Sequence, residues 1–225
     1  MKTVVAIFTK QLSDLPRNAG VSLLYVMFPL FALVMGSLLG DMDVYAGTMA
    51  AMYVASTPMV AIAMTVAEDV EFKSLRFLVM AGVKPSQYLA GLTGFVLLMS
   101  LLPLACLAII GGYTGPLLIN YFLVSILGLF ASAVLGAAIG IFSRNVQQST
   151  AIYTPFMMVL MLMPMFAMAN ETLEKISELT FSYQVGYIVF NPEPDLLRSL
   201  IVIAGNIAVL LTFFIFAYKK KGLRG

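Results

Sequence analysis

Histidine and tryptophan are absent from the 225-residue sequence, and Cys106 is its only cysteine. With one cysteine the chain can form neither an intrachain disulfide nor a thiolate metal cluster. Without histidine it lacks the side chain that most often binds metals and exchanges protons near neutral pH. These absences exclude many classes of enzyme, and they predict a chain that holds no metal or cofactor of its own.

Charged residues are also scarce. They make up 11% of the sequence, against roughly a quarter in ordinary soluble domains. Apolar residues make up 61%, and the mean hydropathy is +0.98. These values predict that most of the chain lies in lipid. The net charge of +2 is too small to indicate nucleic acid as a partner.

Long apolar runs, by contrast, are abundant. A membrane-spanning helix needs about 20 mostly apolar residues, and six stretches without any charged residue qualify. They are residues 19–39, 48–66, 88–112, 117–142, 151–169 and 199–218. The sequence therefore predicts an all-α integral membrane protein in which residues 1–225 form one domain. Membrane lipid is then a necessary partner.

Lysine and arginine are distributed unevenly between the predicted loops. If the N-terminus lies inside the cell, eleven of the 13 basic residues are cytoplasmic, and only Lys175 and Arg198 are external. Such an excess of positive charge marks the cytoplasmic side of a membrane protein. We therefore expect a multi-pass protein of the cell membrane, such as a bacterial plasma membrane, with both termini in the cytoplasm.

Two segments outside the spans have helical patterns. In residues 1–16, Val5, Phe8 and Leu12 recur at helical spacing, which predicts a helix in the inner membrane interface; a frayed N-terminal extension is the alternative. The external segment 170–198 begins with Asn170, a residue that often caps a helix N-terminus. The pattern of the whole segment predicts two short re-entrant helices in the outer leaflet; an ordinary surface helix followed by a loop is the alternative.

The residues of the predicted spans limit the catalytic and transport mechanisms that the chain could use. The spans contain no Asp, Glu, Lys, Arg or His, so neither an intramembrane enzyme nor a proton-coupled carrier is indicated. A sodium-driven carrier that uses carbonyl and hydroxyl oxygens at broken helices is an open alternative, as is a membrane scaffold that transports nothing. No phosphate-loop motif occurs in the sequence, so ATP would have to be hydrolysed by a separate chain.

Charged residues cluster between the second and third spans, at Glu68–Lys73. If residues 68–80 are helical, Asp69, Lys73 and Arg76 share one face, and Gly82 and Pro85 then end the helix. Such a helix would let a soluble motor push on the membrane domain. Alternatively, it would only hold the loop at the lipid surface.

The same region resembles the cytoplasmic loop of type 2 ABC transporter permeases. The resemblance rests on the acidic cluster EDVE at 68–71, the leucine-containing SLRFL at 74–78 and the turn GVKPSQYLAG at 82–91. Six spans, two cytoplasmic ends and a helical external segment also agree. The chain departs from the family at Lys73–Ser74, where Gly-Thr is common, and at Leu92, where lysine is common.

The resemblance implies a permease of an ABC exporter, in which two permeases, identical or homologous, pair above two cytoplasmic ATPases that bind ATP and magnesium. Residues 68–83 would be the coupling helix. The residues implied to couple to the ATPase are Glu68, Asp69, Glu71, Phe72, Lys73, Leu75, Arg76, Phe77, Gly82 and Val83.

Spans two and five tend to line the cavity between the permeases in that family. The resemblance therefore makes Tyr53, Thr57, Met157 and Met161 candidates for cavity lining. An uncharged cavity with methionines predicts export of a hydrophobic or amphipathic cargo, such as a peptide, a lipid-like molecule or a drug. The small residues Gly128, Ser132, Gly136 and Gly140 recur every four positions in span four, which predicts close helix packing within the subunit.

Overall fold

A computed structural model describes residues 8–9, 19–167, 170–191 and 194–222. These residues form helices joined by short turns. The helices that begin at Ala19 or beyond are α1 (Ala19–Leu39), α2 (Met42–Glu71), α3 (Ser74–Met80), α4 (Pro85–Ile110), α5 (Gly115–Phe142), α6 (Val146–Ala167), α7 (Glu171–Ser177), α8 (Phe181–Phe190) and α9 (Leu196–Gly222).

Six of these helices, α1, α2, α4, α5, α6 and α9, are long and apolar enough to cross a membrane. This confirms the number of predicted spans, and it is consistent with a multi-pass membrane protein. The predicted second span, 48–66, is too short: α2 has 30 residues and continues to Glu71. A helix can continue through polar residues, so α2 extends at both ends beyond the apolar run that identified the span.

Helices α2 and α5 form the centre of the bundle. In their most apolar windows, 78% of α2 and 67% of α5 is buried, against 11% of α6. Helix α2 packs against α1, α4, α5, α6 and α8, and α9 packs on α5. The outer helices α1, α6 and α9 turn apolar side chains outward, as helices in contact with lipid do.

The small residues of α5 face α2, which confirms the prediction of packing within the subunit. A Cβ atom at Gly140 would lie 2.8 Å from the carbonyl oxygen of Ala63, and one at Gly136 would collide with the backbone of Met59. Ser132 donates a hydrogen bond from its hydroxyl to the carbonyl oxygen of Ala55, at 3.1 Å. Only small side chains allow two helices to approach so closely.

The segment between α6 and α9 contains two short helices, as predicted. Asn170 caps α7 by accepting a hydrogen bond from the amide of Thr172, at 2.7 Å. Leu173, Ile176, Leu179 and Tyr183 recur at helical spacing in the sequence, but they do not belong to one helix. Helix α7 ends at Ser177, and Thr180 caps the separate helix α8 through the amide of Tyr183.

Helix α8 packs against α2, α5, α6 and α9, with Phe181, Val185 and Ile188 buried. It lies beside the start of α2, because a Cβ at Gly47 would meet Val189. Helix α3 follows the end of α2, so α3 and the α7–α8 pair lie at opposite ends of the bundle. We call these the α3 end and the α7–α8 end.

The predicted interfacial helix, 1–16, lies outside the described residues except for Phe8 and Thr9, which are helical. Phe8 packs edge-on against Phe95 of α4, with ring centroids 5.5 Å apart. The last residues of the predicted fifth span, 168–169, also lie outside the described residues.

Candidate functional site

Residues 68–83 form two helical pieces, so the prediction of one coupling helix is wrong. Glu68, Asp69 and Glu71 belong to the last turn of α2, and α3 begins only at Ser74. Lys73 joins the two helices with φ of +60°, a left-handed conformation that L-residues other than glycine rarely adopt. Asp69, Lys73 and Arg76 therefore do not share the face of a continuous helix.

Asp69 is buried, with 5% of its surface exposed. Its carboxylate accepts a hydrogen bond from the hydroxyl of Tyr88, at 2.8 Å. Tyr88 lies in the first turn of α4 and is itself fully buried. A buried carboxylate is tolerated only when hydrogen bonds replace its water. Asp69 therefore fixes the end of α2 to the start of α4 and is not available to an incoming partner.

Glu71 makes a second contact between helices. Its carboxylate accepts a hydrogen bond from the amide of Val146, at 3.1 Å. Val146 is the first residue of α6, where backbone amides lack partners within the helix. A negative charge at that position is also favoured by the helix dipole. Glu71 therefore connects the end of α2 to the start of α6, while Glu68 is half-buried on the same turn of α2.

The turn after α3 is held by α9. The hydroxyl of Tyr218 donates to the carbonyl oxygen of Val83, at 3.2 Å. Gly82 has φ of +78°, and the amides of Gly82 and Val83 donate back to the carbonyls of Val79 and Leu78. This is the hydrogen-bond pattern by which glycine ends a helix. The prediction that Gly82 ends the helix is therefore confirmed.

The outer side of α3 carries apolar side chains. Leu75 is buried and fixes α3 to the bundle, whereas Phe72, Phe77 and Met80 are 73%, 66% and 64% exposed. Lys73, Arg76 and Lys84 are also exposed. We call Phe72, Phe77, Met80 and these three basic residues the α3 surface. Apolar and basic side chains are therefore exposed together on this short helix and its flanks.

The two predicted cavity residues of α2 are closed off within this chain. Tyr53 and Thr57 have no exposed surface. Tyr53 packs against Phe28 of α1, with ring centroids 5.7 Å apart. Within the described part of the chain, its hydroxyl and those of Tyr25 and Ser100 are buried without a hydrogen-bond partner at normal geometry. In the single chain, neither Tyr53 nor Thr57 therefore has surface that a ligand could contact.

The two predicted cavity residues of α6 are more accessible. Met157 and Met161 are half-buried; Met157 packs beside Met59 and Tyr153, and Met161 packs against the main core. Their neighbour Met158 is 58% exposed. The structure therefore does not bring Tyr53, Thr57 and the two methionines together around one opening.

The sequence alone did not predict the hydrogen-bond partners of Asp69, Glu71 and Val83, which are Tyr88, Val146 and Tyr218. Tyr88 lies in the sequence pattern at 82–91 but has no predicted role, and no contact between helices is predicted for Val146 or Tyr218. Met80 of the α3 surface has a local signal, since it lies three residues after Phe77 in the predicted helix. Tyr88, Val146 and Tyr218 have none, because their partners lie far away along the chain. Compared with known proteins, the chain matches no family model and no curated protein sequence.

Proposed function

We propose that this chain is the membrane subunit of an ATP-driven exporter of the type 2 ABC kind, and that a cytoplasmic ATPase docks on the α3 surface. One observation carries the proposal: Phe77 and Met80 are exposed on a short helix between two membrane spans, and Phe72, just before that helix, is exposed as well. The α3 end, with its basic residues, then lies in the cytoplasm.

The composition of the α3 surface suits a protein partner. Exposed aromatic side chains that become buried on binding supply much of the affinity of protein interfaces. Here two exposed phenylalanines and an exposed methionine lie near the exposed residues Lys73, Arg76 and Lys84 in the sequence. Such a surface fits an apolar pocket with an acidic rim on the ATPase.

The connections behind α3 suit transmission of force. Asp69 links the end of α2 to α4, and Glu71 links it to α6. Tyr218 of α9 holds the turn that follows α3. A displacement of α3 would therefore reach four membrane helices through hydrogen bonds and packed side chains rather than through a flexible loop.

The rest of the assembly is part of the same proposal. Two ATPases, which bind ATP and magnesium, would drive two permease copies or a pair of homologous permeases. Met157 and Met161 on α6 are the candidates for lining the cargo path, since they retain exposed surface. Flexible, polarizable methionines suit hydrophobic or amphipathic cargo of varied shape, such as peptides, lipid-like molecules or drugs.

Co-purification from native membranes tests the docking step. We predict that Phe77→Asp leaves the protein in the membrane but reduces the amount of co-purified ATPase at least about tenfold. The reason is that a charge replaces an aromatic side chain that the ATPase would bury on docking. The measurement is quantitative mass spectrometry after extraction in a mild detergent. The matched control is Leu179→Asp, since Leu179 is 68% exposed at the other end of the bundle.

The same experiment separates the docking proposal from the alternatives. If α3 only rests on the lipid surface, Phe77→Asp would leave the ATPase content unchanged, and docking on α3 would be refuted. If the chain is a gradient-driven carrier, no ATPase would co-purify with the parent protein. Transport would then persist after ATP depletion and stop when the ion gradient is dissipated.

A further inference from the structure

A pocket of about 350 Å³ lies at the α7–α8 end of the bundle. Its walls come from the start of α2, the end of α6, helix α7 and helix α8. Most of its lining is apolar or aromatic, including Met165, Tyr183 and Phe190. Its volume lies within the range of pockets that bind small organic molecules, about 300–1,000 Å³.

One carboxylate faces this apolar pocket. Glu174 of α7 is an exposed residue on the lining. Among the described residues, its side chain has no salt bridge and no hydrogen bond. The nearby acid Glu178 differs, because Arg198 binds it at 2.6 Å. Glu174 is therefore an acceptor that no cation of the described chain occupies.

Two aromatic rings complete the arrangement. Tyr183 and Tyr187 stack with centroids 6.1 Å apart, and both line the pocket. Burial, and next the charge of Glu174, raise the pKa of Tyr183, so its ring stays a neutral phenol at physiological pH. The hydroxyl of Tyr187 accepts a hydrogen bond from the amide of Asp195, which is not part of the pocket lining, at 3.4 Å.

We propose that this pocket binds an amphipathic organic cation, an amine or quaternary ammonium group attached to an apolar body. Aromatic faces attract such cations through their quadrupole, and Glu174 supplies the opposite charge. The apolar walls from α6 and α8 enclose the body of the ligand. A bare metal ion fits less well, because metal ions such as sodium, magnesium and calcium need several oxygen ligands and the lining is mostly apolar.

This binding site does not depend on the proposed exporter function. It lies at the end of the bundle away from α3, and it is formed by a single chain. Binding by the purified chain without any ATPase tests the pocket alone. Failure here would leave the docking proposal intact, and loss of ATPase co-purification would not affect the pocket.

The absence of tryptophan from the sequence allows a specific reporter. In Phe190→Trp the single indole would lie in the pocket, since Phe190 is part of its lining. The protein is placed in a lipid nanodisc and titrated with benzyltrimethylammonium. We expect a saturable change in tryptophan fluorescence. We also expect about tenfold weaker binding of neopentylbenzene, which has the same shape without the charge.

Two variants on the Phe190→Trp background locate the ligand. Glu174→Gln removes the charge and should weaken binding of the cation about tenfold while leaving binding of the neutral analogue unchanged. Gly186→Leu should abolish both, because a Cβ at Gly186 lies 3.6 Å from Phe190 and Pro164 and a longer side chain fills the pocket. Glu171→Gln, on the same helix but outside the lining, is the matched control.

The outcomes are decisive in both directions. Selective loss of cation affinity in Glu174→Gln, with the Glu171→Gln protein unchanged, supports the proposal. Equal affinity for the cation and its neutral analogue would overturn it, since the pocket would then be an unselective apolar space. Absence of a saturable signal from the parent Phe190→Trp protein would also overturn it.

Discussion

Asp69 is a charged residue that the fold has placed inside the bundle, at the end of a membrane helix. Its carboxylate is buried and accepts a hydrogen bond from Tyr88. The energetic cost of desolvating a carboxylate is offset only when such donors are present. The contact also connects α2 and α4 next to α3, so it contributes to stability and to the proposed transmission of force.

We predict that Tyr88→Phe destabilises the protein by about 1–3 kcal/mol, because Asp69 loses a donor while remaining buried. The measurement is the unfolding temperature in detergent, followed by loss of the monodisperse peak in size-exclusion chromatography. Tyr45→Phe serves as the control, since Tyr45 is half-buried and its hydroxyl has no hydrogen bond within the described part of the chain. Equal stability of Tyr88→Phe and the parent protein would show that the bond contributes nothing.

The roles of individual acids were the least predictable part of the site. The sequence shows that Glu68, Asp69 and Glu71 are clustered, and a cluster of acids suggests a solvated surface. Their partners Tyr88 and Val146 are 19 and 75 residues away in the chain. Pairings over such distances depend on tertiary packing, and neither composition nor helical spacing contains that information.

Helices α2 and α5 pack closely against each other, and glycine permits this approach. We predict that Gly136→Ala prevents correct packing, because the added Cβ would collide with the carbonyl oxygen of Met59 and backbone atoms cannot rotate away as side chains do. The expected effect is a loss of several kcal/mol of stability, of the order caused by overpacking a core or more, measured as loss of folded protein after extraction.

The matched control for this prediction is Gly94→Ala in α4. A Cβ at Gly94 would meet nothing within 4 Å, and alanine favours a helix interior by about 1 kcal/mol relative to glycine. Gly94→Ala should therefore be neutral or slightly stabilising. If both alanine variants behaved alike, the close approach of α2 and α5 would not limit stability.

Elements were predictable where the signal was local. The six spans follow from apolar length alone, and the stripe from Gly128 to Gly140 correctly indicated packing. Helix ends were less predictable. The joint at Lys73 depends on a positive φ that no composition rule assigns to lysine. The break between α7 and α8 depends on Thr180, which caps α8 although apolar spacing runs through it.

For the molecule as a whole, the two ends of the bundle differ in chemistry. The α3 end presents exposed phenylalanines beside basic residues. The α7–α8 end contains an apolar pocket with a carboxylate and two tyrosines. The sequence predicted ten coupling residues at the first end. Among them, Asp69 and Glu71 connect helices, whereas Phe72, Lys73, Arg76 and Phe77 are exposed. Nothing in the sequence indicated the pocket, because four separate helices contribute its walls.

Photo-crosslinking from the α3 surface tests the central claim most directly. With p-benzoylphenylalanine at Phe77, irradiation of intact cells should give a covalent adduct. We predict an added mass of roughly 25–35 kDa, the size of one nucleotide-binding domain with or without a small extension, with peptides that contain a phosphate-loop motif. The same probe at Leu179 should give no such adduct. Crosslinks from Phe77 to lipid alone, or to the same proteins as from Leu179, would contradict docking of an ATPase on α3.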